Sequence, residues 1–223
     1  DRRDLHSFPT RRSSDLSGGL DSTLALLVIF RAYKLLKINP IDIIAVTMKG
    51  YGTTDRTYSN VLSLCKKMGV TLLDIPITDI SDMTLDKVNH SRESRDTCYE
   101  NIQARARTYM LMTVANKYNG IVVGTGDCSE IALGWSTYNG DHISMYNVNS
   151  GVPKTLVKFL VSWASKNEYS GEISKILDEI VKQPISPELL PPVGSVIAQK
   201  TEDIIGPYEL HDFFLYYFVR YRF

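Results

Sequence analysis

Residues 17–23 (SGGLDST) are the stretch of the chain whose residue types and spacing are best suited to chemistry. Two adjacent glycines allow a tight turn in which backbone N–H groups approach a ligand closely. An apolar helical pattern follows, and a helix N-terminus binds anions through its free N–H groups and its dipole. Asp21 would repel a phosphate group unless a divalent cation such as Mg²⁺ lay between them. The stretch predicts a phosphate site that uses a metal, although an ordinary glycine-rich helix cap fits the same residues.

Two later stretches carry further candidate groups. Asn101 and Arg105 lie four residues apart in a helical pattern and share one helix face, whereas Arg107 points elsewhere. The planar guanidinium of Arg105 is suited to clamp a phosphate, although a lone arginine on a helix is usually a solvated charge. Glu130 follows a glycine-rich turn at 124–126. It either stabilises a helix N-terminus or supplies a second carboxylate for the metal.

Two single residues also stand in unusual positions. Lys154 begins a helical pattern, where the helix dipole disfavours a cation, and this mild misfit indicates an anionic ligand. Ser186 lies between Pro184 and Pro187, and the rigid backbone on both sides favours one fixed position for its hydroxyl. Each residue alone also fits an ordinary structural role.

Alternating helices and strands must position these groups. The pattern predicts helices at 20–38, 55–68, 80–90 and 99–116, and strands at 41–48, 70–77 and 120–126. Such alternation is typical of a parallel sheet with right-handed crossovers, in which ligands bind beyond the carboxyl ends of the strands. We therefore expect residues 17–22, 49–54 and 125–130 to meet at one edge of the sheet.

The alternation stops after Pro153. Helical patterns cover 154–165, 171–182 and 208–217. Between them, residues 183–192 are rich in proline and cannot form regular structure, and residues 194–203 are polar and expected to be mobile.

Composition limits the class of protein. The chain has 223 residues, 43% hydrophobic and 22% charged, which suits one α/β domain with a sizeable core. Its formal net charge is zero and no apolar run approaches the length of a membrane span, so we expect neither a nucleic acid nor a membrane as partner. Three cysteines cannot all pair, which favours a reducing cytoplasm.

Residues 1–16 look foreign to the rest of the chain. The segment 6–16 matches the translation of a common sequencing adapter over its whole length, and a genuine basic leader is the weaker interpretation. A phosphate loop of this kind normally follows a buried apolar strand, and the leader has no such apolar pattern. We therefore expect that no strand precedes Ser17, and that the first strand has been lost with the upstream sequence.

Several motifs together resemble one family. SGGLDST resembles the signature of the ATP pyrophosphatases, which split ATP into AMP and pyrophosphate, and it lacks the lysine of a Walker A loop. With NIQARAR, GTGDCSEIALGWSTYNGD, VPKTL, SPELLPP and QKTEDIIGPYELHDF, it resembles the NAD⁺ synthetases, in particular the synthetase domain of the glutamine-dependent enzymes. The resemblance covers residues 17–223. It implies an α/β fold of the adenine nucleotide alpha hydrolase-like (Rossmann-like) type, a parallel sheet with helices on both faces.

The resemblance also implies a reaction. The carboxylate of nicotinic acid adenine dinucleotide attacks the α-phosphate of ATP, and ammonia then displaces AMP from the acyl-adenylate. The implied catalytic residues are Asp21, Lys154 and Ser186, with Asp21 and Glu130 holding Mg²⁺. The family forms homodimers, and we expect a homo-oligomer here.

The remaining site residues follow from the same resemblance. The residues implied to hold ATP are Ser17, Gly18, Gly19, Asp21, Ser22, Met48, Arg105 and Thr125. Asn101, Thr137 and Asp141 are implied to line the dinucleotide site. Residues 194–203 are implied to close over the site as a lid that excludes water from the adenylate.

The sequence departs from the family in three ways. The loop lacks its preceding strand, no glutaminase domain is present, and the chain stops at Phe223 inside an apolar run. We expect a fragment that uses ammonia from solution or from a missing glutaminase domain. Two alternatives remain: another ATP pyrophosphatase, such as a GMP synthetase or a tRNA thiolation enzyme, and a nucleotide-binding module without turnover.

Overall fold

A parallel sheet of five strands, in the order β3-β2-β1-β4-β5, runs through the part of the chain that the structure describes. The computed structural model describes residues 11–186, 189–191 and 201–222. The strands are β1 (Arg11–Asp15), β2 (Ile43–Thr47), β3 (Thr71–Asp74), β4 (Gly120–Gly124) and β5 (Tyr146–Asn147). The sequence predicts β2, β3 and β4 at these places, but it does not predict β5.

The helices confirm the predicted pattern. They are α1 (Leu20–Leu36), α2 (Asp55–Met68), α3 (Thr78–Lys87), α4 (Thr97–Lys117), α5 (Cys128–Leu133), α6 (Lys154–Asn167), α7 (Gly171–Lys182), α8 (Thr201–Ile205) and α9 (Tyr208–Tyr221). Helix α2 illustrates the local signals: the side chain of Thr54 accepts the N–H of Thr57 at its start, and Gly69 ends it in the left-handed region. Within the described residues, no helix is long and apolar enough to span a bilayer.

Helices cover both faces of the sheet, which buries strand β2 along its whole length. Ile43 and Ala45 lie on one face and join the apolar cluster formed with α1, α2, α6 and α7. Ile44 and Val46 lie on the other face and join a second cluster with α4. A continuous apolar run is typical of a strand that is covered on both sides. The structure confirms the predicted α/β architecture.

Strand β1 contradicts the expectation that no strand precedes Ser17. It lies in the middle of the sheet and pairs in parallel with β2 on one side and β4 on the other. These neighbours present N–H and C=O groups to the gap between them, and an extended backbone of any sequence can satisfy such groups. Ser14 is accommodated at 3% exposure because its hydroxyl donates to the carbonyl of Val123 at 3.2 Å. The foreign origin of residues 6–16 stays a prediction, and residues 1–10 lie outside the described part.

The carboxyl ends of β1, β2 and β4 lead into the loops that the sequence singles out. Because the strands are parallel, residues 16–19, 48–54 and 125–127 lie at the same edge of the sheet, as predicted. Leu16 extends the pairing of β1, and its N–H donates to the carbonyl of Val46 at 2.9 Å. The phosphate-type loop is therefore anchored at the centre of the sheet.

The predicted lid lies largely outside the described residues, since 192–200 are not among them. Its last residues, 201–203, are helical rather than irregular and belong to α8. Thr201 is buried, and its N–H donates to the carbonyl of Ile185 at 3.0 Å. This contact attaches α8 to the segment that carries Ser186.

Candidate active site

The loop between β1 and α1 has the features of an anion site. Gly18 has φ +88°, and a Cβ built on it would lie 2.5 Å from Cγ2 of Thr57, so both conformation and space require glycine. Gly19 is the N-cap of α1, and no side-chain hydrogen bond caps the helix there. The hydroxyls of Ser17 and Ser22 lie 3.2 Å apart beside these amides. The helix therefore leaves its first N–H groups and the positive end of its dipole to a ligand.

Beside this loop, three carboxylates surround one lysine. Lys154, the first residue of α6, is 1% exposed. Its Nζ lies 2.6 Å from Asp21 Oδ2, 2.7 Å from Asp127 Oδ2 and 2.7 Å from Glu130 Oε1. The cationic side chain at a helix N-terminus, which the sequence marks as a misfit, is thus explained by acidic partners from α1 and α5. The structure brings together Asp21, Glu130 and Lys154, as predicted.

The charged groups of this centre shift one another's pKa values. Burial raises the pKa of Asp21 to about 6, against the opposing effect of Lys154. Burial, together with the nearby charge of Asp21, raises the pKa of Glu130 to about 8. Burial alone would lower the pKa of Lys154, but the three carboxylates outweigh it and hold the ammonium protonated. One cation therefore balances only part of the negative charge.

The residues present fit a divalent cation. One carboxylate oxygen from each of Asp21, Asp127 and Glu130 lies within 4.8 Å of the others, a spacing that one ion can bridge. Oδ1 of Asp21 is buried without a hydrogen-bond partner in the described structure. With Lys154 charged and the carboxylates ionised, the formal charge of the group is −2, and oxygen-only donors suit Mg²⁺.

Helices α5 and α9 fix the backbone of Lys154. The N–H of Lys154 donates to Ser129 Oγ at 2.9 Å, and Ser129 in turn donates its hydroxyl to Asp212. Asp212 also accepts the N–H and the hydroxyl of Thr155, at 2.8 and 2.7 Å. Asp212 is 7% exposed, so this network is shielded from water. Neither Ser129 nor Asp212 carries a local sequence signal for this role.

The site contains two further residues, Asp127 and Asn149, that sequence reasoning does not assign to it. Asp127 forms a capping box with Glu130 at the start of α5, and the D-x-x-E spacing is the signal that points to this cap. Asn149 is 1% exposed and donates from Nδ2 to the carbonyls of Asp21 and Thr125, at 2.9 and 3.0 Å. It ties the loop after β5 to the first turn of α1 and to the loop after β4, a contact that no sequence spacing reveals.

Ser186 lies next to the phosphate-type loop. It lines a cavity of about 70 Å³ together with Ser17, Gly19 and Asp21. A second cavity, of about 370 Å³, shares residues 183–185 with the first and is lined by Lys154 and Tyr208 among others. The prediction that Ser186 belongs to the same site as the loop is thus supported by position.

The other residues predicted to hold ATP lie around this edge of the sheet, and they differ in how far they are exposed to solvent. Arg105 is exposed on α4, and its Nε donates to the carbonyl of Tyr138 at 3.2 Å. Thr125 is half-buried at the end of β4. Met48 is 4% exposed and packs in the core at the end of β2. Their contacts with ATP stay predictions, and Met48 in particular offers little open surface.

Arg107 also approaches this edge, from another face of α4. A Cβ on Gly50 would lie 3.1 Å from its guanidinium, which places Arg107 against the loop after β2. Burial raises the pKa of Asp15 to about 6, and the charge of Arg107 opposes this rise. The sequence correctly separates Arg107 from the face of Arg105, but it does not reveal this position.

The residues predicted to line the dinucleotide site form one cluster. Thr137 donates its hydroxyl to Asn101 Oδ1 at 2.7 Å and its N–H to Asp141 Oδ1 at 2.8 Å. Nδ1 of His142 lies 2.8 Å from the carbonyl of Thr137. The turn after α5 is therefore attached to α4, and the three predicted residues lie together near the start of that helix.

Comparisons with known proteins place the chain in a family. A family model described as NAD synthase matches residues 14–221. The glutamine-dependent NAD(+) synthetase of Mycobacterium leprae is 44% identical over 214 residues, which are 93% of this chain and 32% of that protein. The chain thus spans about a third of the length of the curated relatives it matches.

Solved structures show the same fold. A glutamine-dependent NAD+ synthetase from Acinetobacter baumannii, in complex with ADP, superposes with a TM-score of 0.70 at 26% identity, covering 95% of this chain and 35% of that chain. An NMN synthetase from Francisella tularensis, at 23% identity and a TM-score of 0.71, covers 92% of this chain and 76% of that one and shows the fold alone. The fold is that of the adenine nucleotide alpha hydrolase-like proteins. On the family match and the 44% identity, this chain belongs to the NAD synthase family.

Proposed function

We propose that this chain is the synthetase part of an NAD⁺ synthetase, which amidates nicotinic acid adenine dinucleotide with ATP and ammonia. The observation that carries the proposal is the buried Lys154, held among three carboxylates beside the uncapped N-terminus of α1. Such a centre combines anion-binding amides with a cation and a metal-type donor set, which is what transfer at a phosphate requires.

ATP would bind with its phosphates at the loop after β1. The free amides of α1 and the hydroxyls of Ser17 and Ser22 are the donors nearest to that position. Lys154 reaches the same place from α6, and Ser186 faces it across the small cavity. The ADP bound to the Acinetobacter baumannii relative supports an adenine nucleotide as the ligand.

Mg²⁺ would be held by Asp21 and Glu130, with Asp127 beside them. When bound, it would neutralise phosphate charge and so remove the repulsion between the nucleotide and these carboxylates. The chain's own contribution is to fix the carboxylates: Asp127 is bound to the backbone of α5, and Lys154 is bound to all three. Fixed charges of this kind need no reorganisation during the reaction.

The reaction then proceeds in two displacements. The substrate carboxylate forms a bond to the α-phosphorus of ATP, and the bond from that phosphorus to pyrophosphate breaks. Ammonia next attacks the acyl carbon, a proton is released, and AMP leaves with the electron pair of the acyl–oxygen bond. Asn101, Thr137 and Asp141 would orient the dinucleotide for the first step, mainly by position rather than by acid–base work.

The ammonia comes from solution or, as the names of the relatives indicate, from glutamine through a further part of the whole protein. We also propose a homo-oligomer in the cytoplasm. The cysteines Cys65, Cys98 and Cys128 are all free, which favours a reducing compartment.

Pyrophosphate release tests the proposal. The chain is incubated with ATP and Mg²⁺, with and without nicotinic acid adenine dinucleotide, and with and without ammonium. We expect release that depends on the dinucleotide, and a loss of at least ~100-fold in Asp21→Asn, since single electrostatic groups in active sites contribute about that much. The matched control is Asp55→Asn, because Asp55 is also a first-turn acid after a loop at this edge but is exposed and pairs with the partly exposed Lys49. Release that ignores the dinucleotide, or that Asp21→Asn leaves unchanged, would overturn the proposal.

A further inference from the structure

A second group of metal-ligating side chains lies away from the active site, between α3 and α4. It consists of His90, Asp96 and Cys98, and one donor atom of each lies within 4.8 Å of the others. Asp96 is the N-cap of α4, where its Oδ1 accepts the N–H of Tyr99 at 3.1 Å. The side chain of His90 is 17% exposed and that of Asp96 is 52% exposed. The proposed reaction gives none of the three a role.

The hydrogen bonds of His90 fix which ring nitrogen carries its proton. Nδ1 lies 2.9 Å from the carbonyl oxygen of Ser91. A carbonyl oxygen only accepts, so Nδ1 must donate, and in the neutral ring Nε2 then carries a lone pair. This is the arrangement by which proteins orient a histidine that binds a metal.

The lone pair of Nε2 points at another acceptor. Nε2 lies 3.1 Å from Oδ2 of Asp96, which also accepts the hydroxyl of Ser94 at 3.1 Å. A neutral imidazole and a carboxylate repel each other at this distance, so either a second proton on the ring or a metal ion must lie between them. The separation of 3.1 Å is close to that of two ligands of one zinc ion, whose bonds to nitrogen and oxygen are about 2.0–2.2 Å long.

The position of Cys98 favours a metal ion, rather than a proton, between His90 and Asp96. Its thiol is exposed and lies in the first turn of α4, on the same side as the donor atoms of His90 and Asp96 that it approaches within 4.8 Å. An ion pair between His90 and Asp96 would need no third donor, whereas a metal gains one. Nitrogen, oxygen and sulfur together suit a borderline ion of the zinc class and disfavour Mg²⁺.

The neighbouring arginines are engaged elsewhere. Arg92 is paired with Asp82 at 3.0 Å and with Asp86 at 2.8 Å. The guanidinium of Arg95 lies over the ring of Tyr99, 4.4 Å from its centroid. Within the described residues neither arginine forms an ion pair with Asp96, so the carboxylate remains available to a cation.

We propose that His90 Nε2, Asp96 Oδ2 and Cys98 Sγ bind a zinc-class divalent ion, with water completing its coordination. The ion joins the segment after α3 to the first turn of α4, the helix that carries Asn101 and Arg105. It is a structural site, separate from the carboxylates around Lys154.

Titration of the metal-free chain with Co²⁺ tests this proposal. A cobalt–thiolate bond gives a charge-transfer absorption that oxygen ligands alone do not give, so binding of Co²⁺ to the carboxylates of the active site does not interfere. We expect one equivalent of Co²⁺ to produce the band, and Zn²⁺ to displace it. Cys98→Ser should abolish the band, and His90→Gln should weaken Co²⁺ binding by at least ~10-fold, since loss of even an outer partner of a metal ligand costs about that much.

Cys128→Ser is the matched control, because Cys128 adjoins the active-site carboxylate Asp127 and is also free. The band should persist in this variant. A chain that gives no thiolate band at saturating Co²⁺, or whose band survives Cys98→Ser, would overturn the proposal and leave His90 and Asp96 as a proton-bridged ion pair. This result does not depend on the synthetase reaction.

Discussion

Helices α1, α5 and α6 supply the groups around Lys154, and the N–H groups at their starts are satisfied differently. At α5, Asp127 and Glu130 form a reciprocal capping box. At α6, Ser129 and Asp212 accept the first two N–H groups from outside the helix. At α1, Gly19 provides no side-chain cap.

The difference separates the scaffold from the ligand site. Side chains that occupy the N–H groups of α5 and α6 hold Glu130 and Lys154 in place, and those amides are not available to a ligand. The amides of α1 stay available, next to the charges that the other two helices supply. Around Lys154, side chains thus occupy the N–H groups of two helix starts and leave those of the third open to a ligand.

The largest effect is expected when Lys154, the cation at the start of α6, is removed. Lys154→Ala leaves the buried carboxylate of Asp127 and the half-buried carboxylates of Asp21 and Glu130 without their counter-charge, and breaking a buried pair in this way costs ~3–5 kcal/mol of folding free energy. Turnover should be lost as well. The measurement is thermal unfolding together with pyrophosphate release, and the control is Lys158→Ala, one turn further along α6 and exposed. Equal behaviour of the two variants would contradict the role given to Lys154.

A smaller effect is expected when the brace of α6 is removed and its cation is kept. Asp212→Ala leaves the buried hydroxyl of Ser129 without an acceptor, at ~1–3 kcal/mol, whereas Thr155 is only half-buried and keeps access to water. Because Lys154 then loses its fixed position, we expect kcat to fall more than the KM for ATP rises. Steady-state kinetics check this split, with Glu209→Ala on the same helix as an exposed control. A loss of stability with unchanged kcat would reduce Asp212 to a structural residue.

The open start of α1 should be sensitive to a single methyl group. Gly18→Ala places a Cβ against Thr57 in a left-handed backbone, which costs about 1–3 kcal/mol. Gly134 also has a positive φ, +64°, but nothing lies within 4 Å of a Cβ there. Gly134→Ala therefore measures the backbone strain alone. The difference between the two variants in thermal unfolding measures the cost of the contact with Thr57. Equal losses of stability would show that Thr57 moves aside without cost.

The smallest effect concerns pH in the absence of Mg²⁺. The pKa of Glu130 is about 8 in the folded chain, above its ordinary value, so the folded chain keeps a proton that the unfolded chain has already lost. The free energy of unfolding should then fall as pH rises towards 8. Glu130→Gln should flatten this slope, and Glu179→Gln, at a half-exposed site away from Lys154, should not. Added Mg²⁺ should stabilise the chain more as pH rises, because it binds the ionised carboxylates.

The sequence predicts most of the framework because local signals agree with the fold. Apolar β-branched runs mark β2 and β4, and caps such as Thr54 and Gly69 mark the ends of α2. Strand β1 could not be found in this way. Its residues are polar, and the backbone groups of β2 and β4, which lie far away in sequence, decide its place.

The residues of the candidate site show the same division between those with a local sequence signal and those placed only by tertiary packing. The residues in recognisable motifs, such as Asp21 and Glu130, are brought together as predicted. Asp212 and Asn149 are missed because their roles arise only from tertiary packing, across α9 and the loop after β5. The D-x-x-E spacing is a local signal for the cap that Asp127 forms, but its contact with Lys154 arises only in three dimensions.

Calorimetric titration of the chain with ATP tests the central claim most directly, namely that the open start of α1 and the carboxylates around Lys154 form one metal-dependent nucleotide site. It is performed with and without Mg²⁺, on the wild-type chain and on Asp21→Asn. We expect ATP to bind the wild-type chain only when Mg²⁺ is present, and Asp21→Asn to weaken binding by at least ~10-fold, a difference of about 1.4 kcal/mol. Affinity that is independent of Mg²⁺ and equal in the two proteins would contradict the claim.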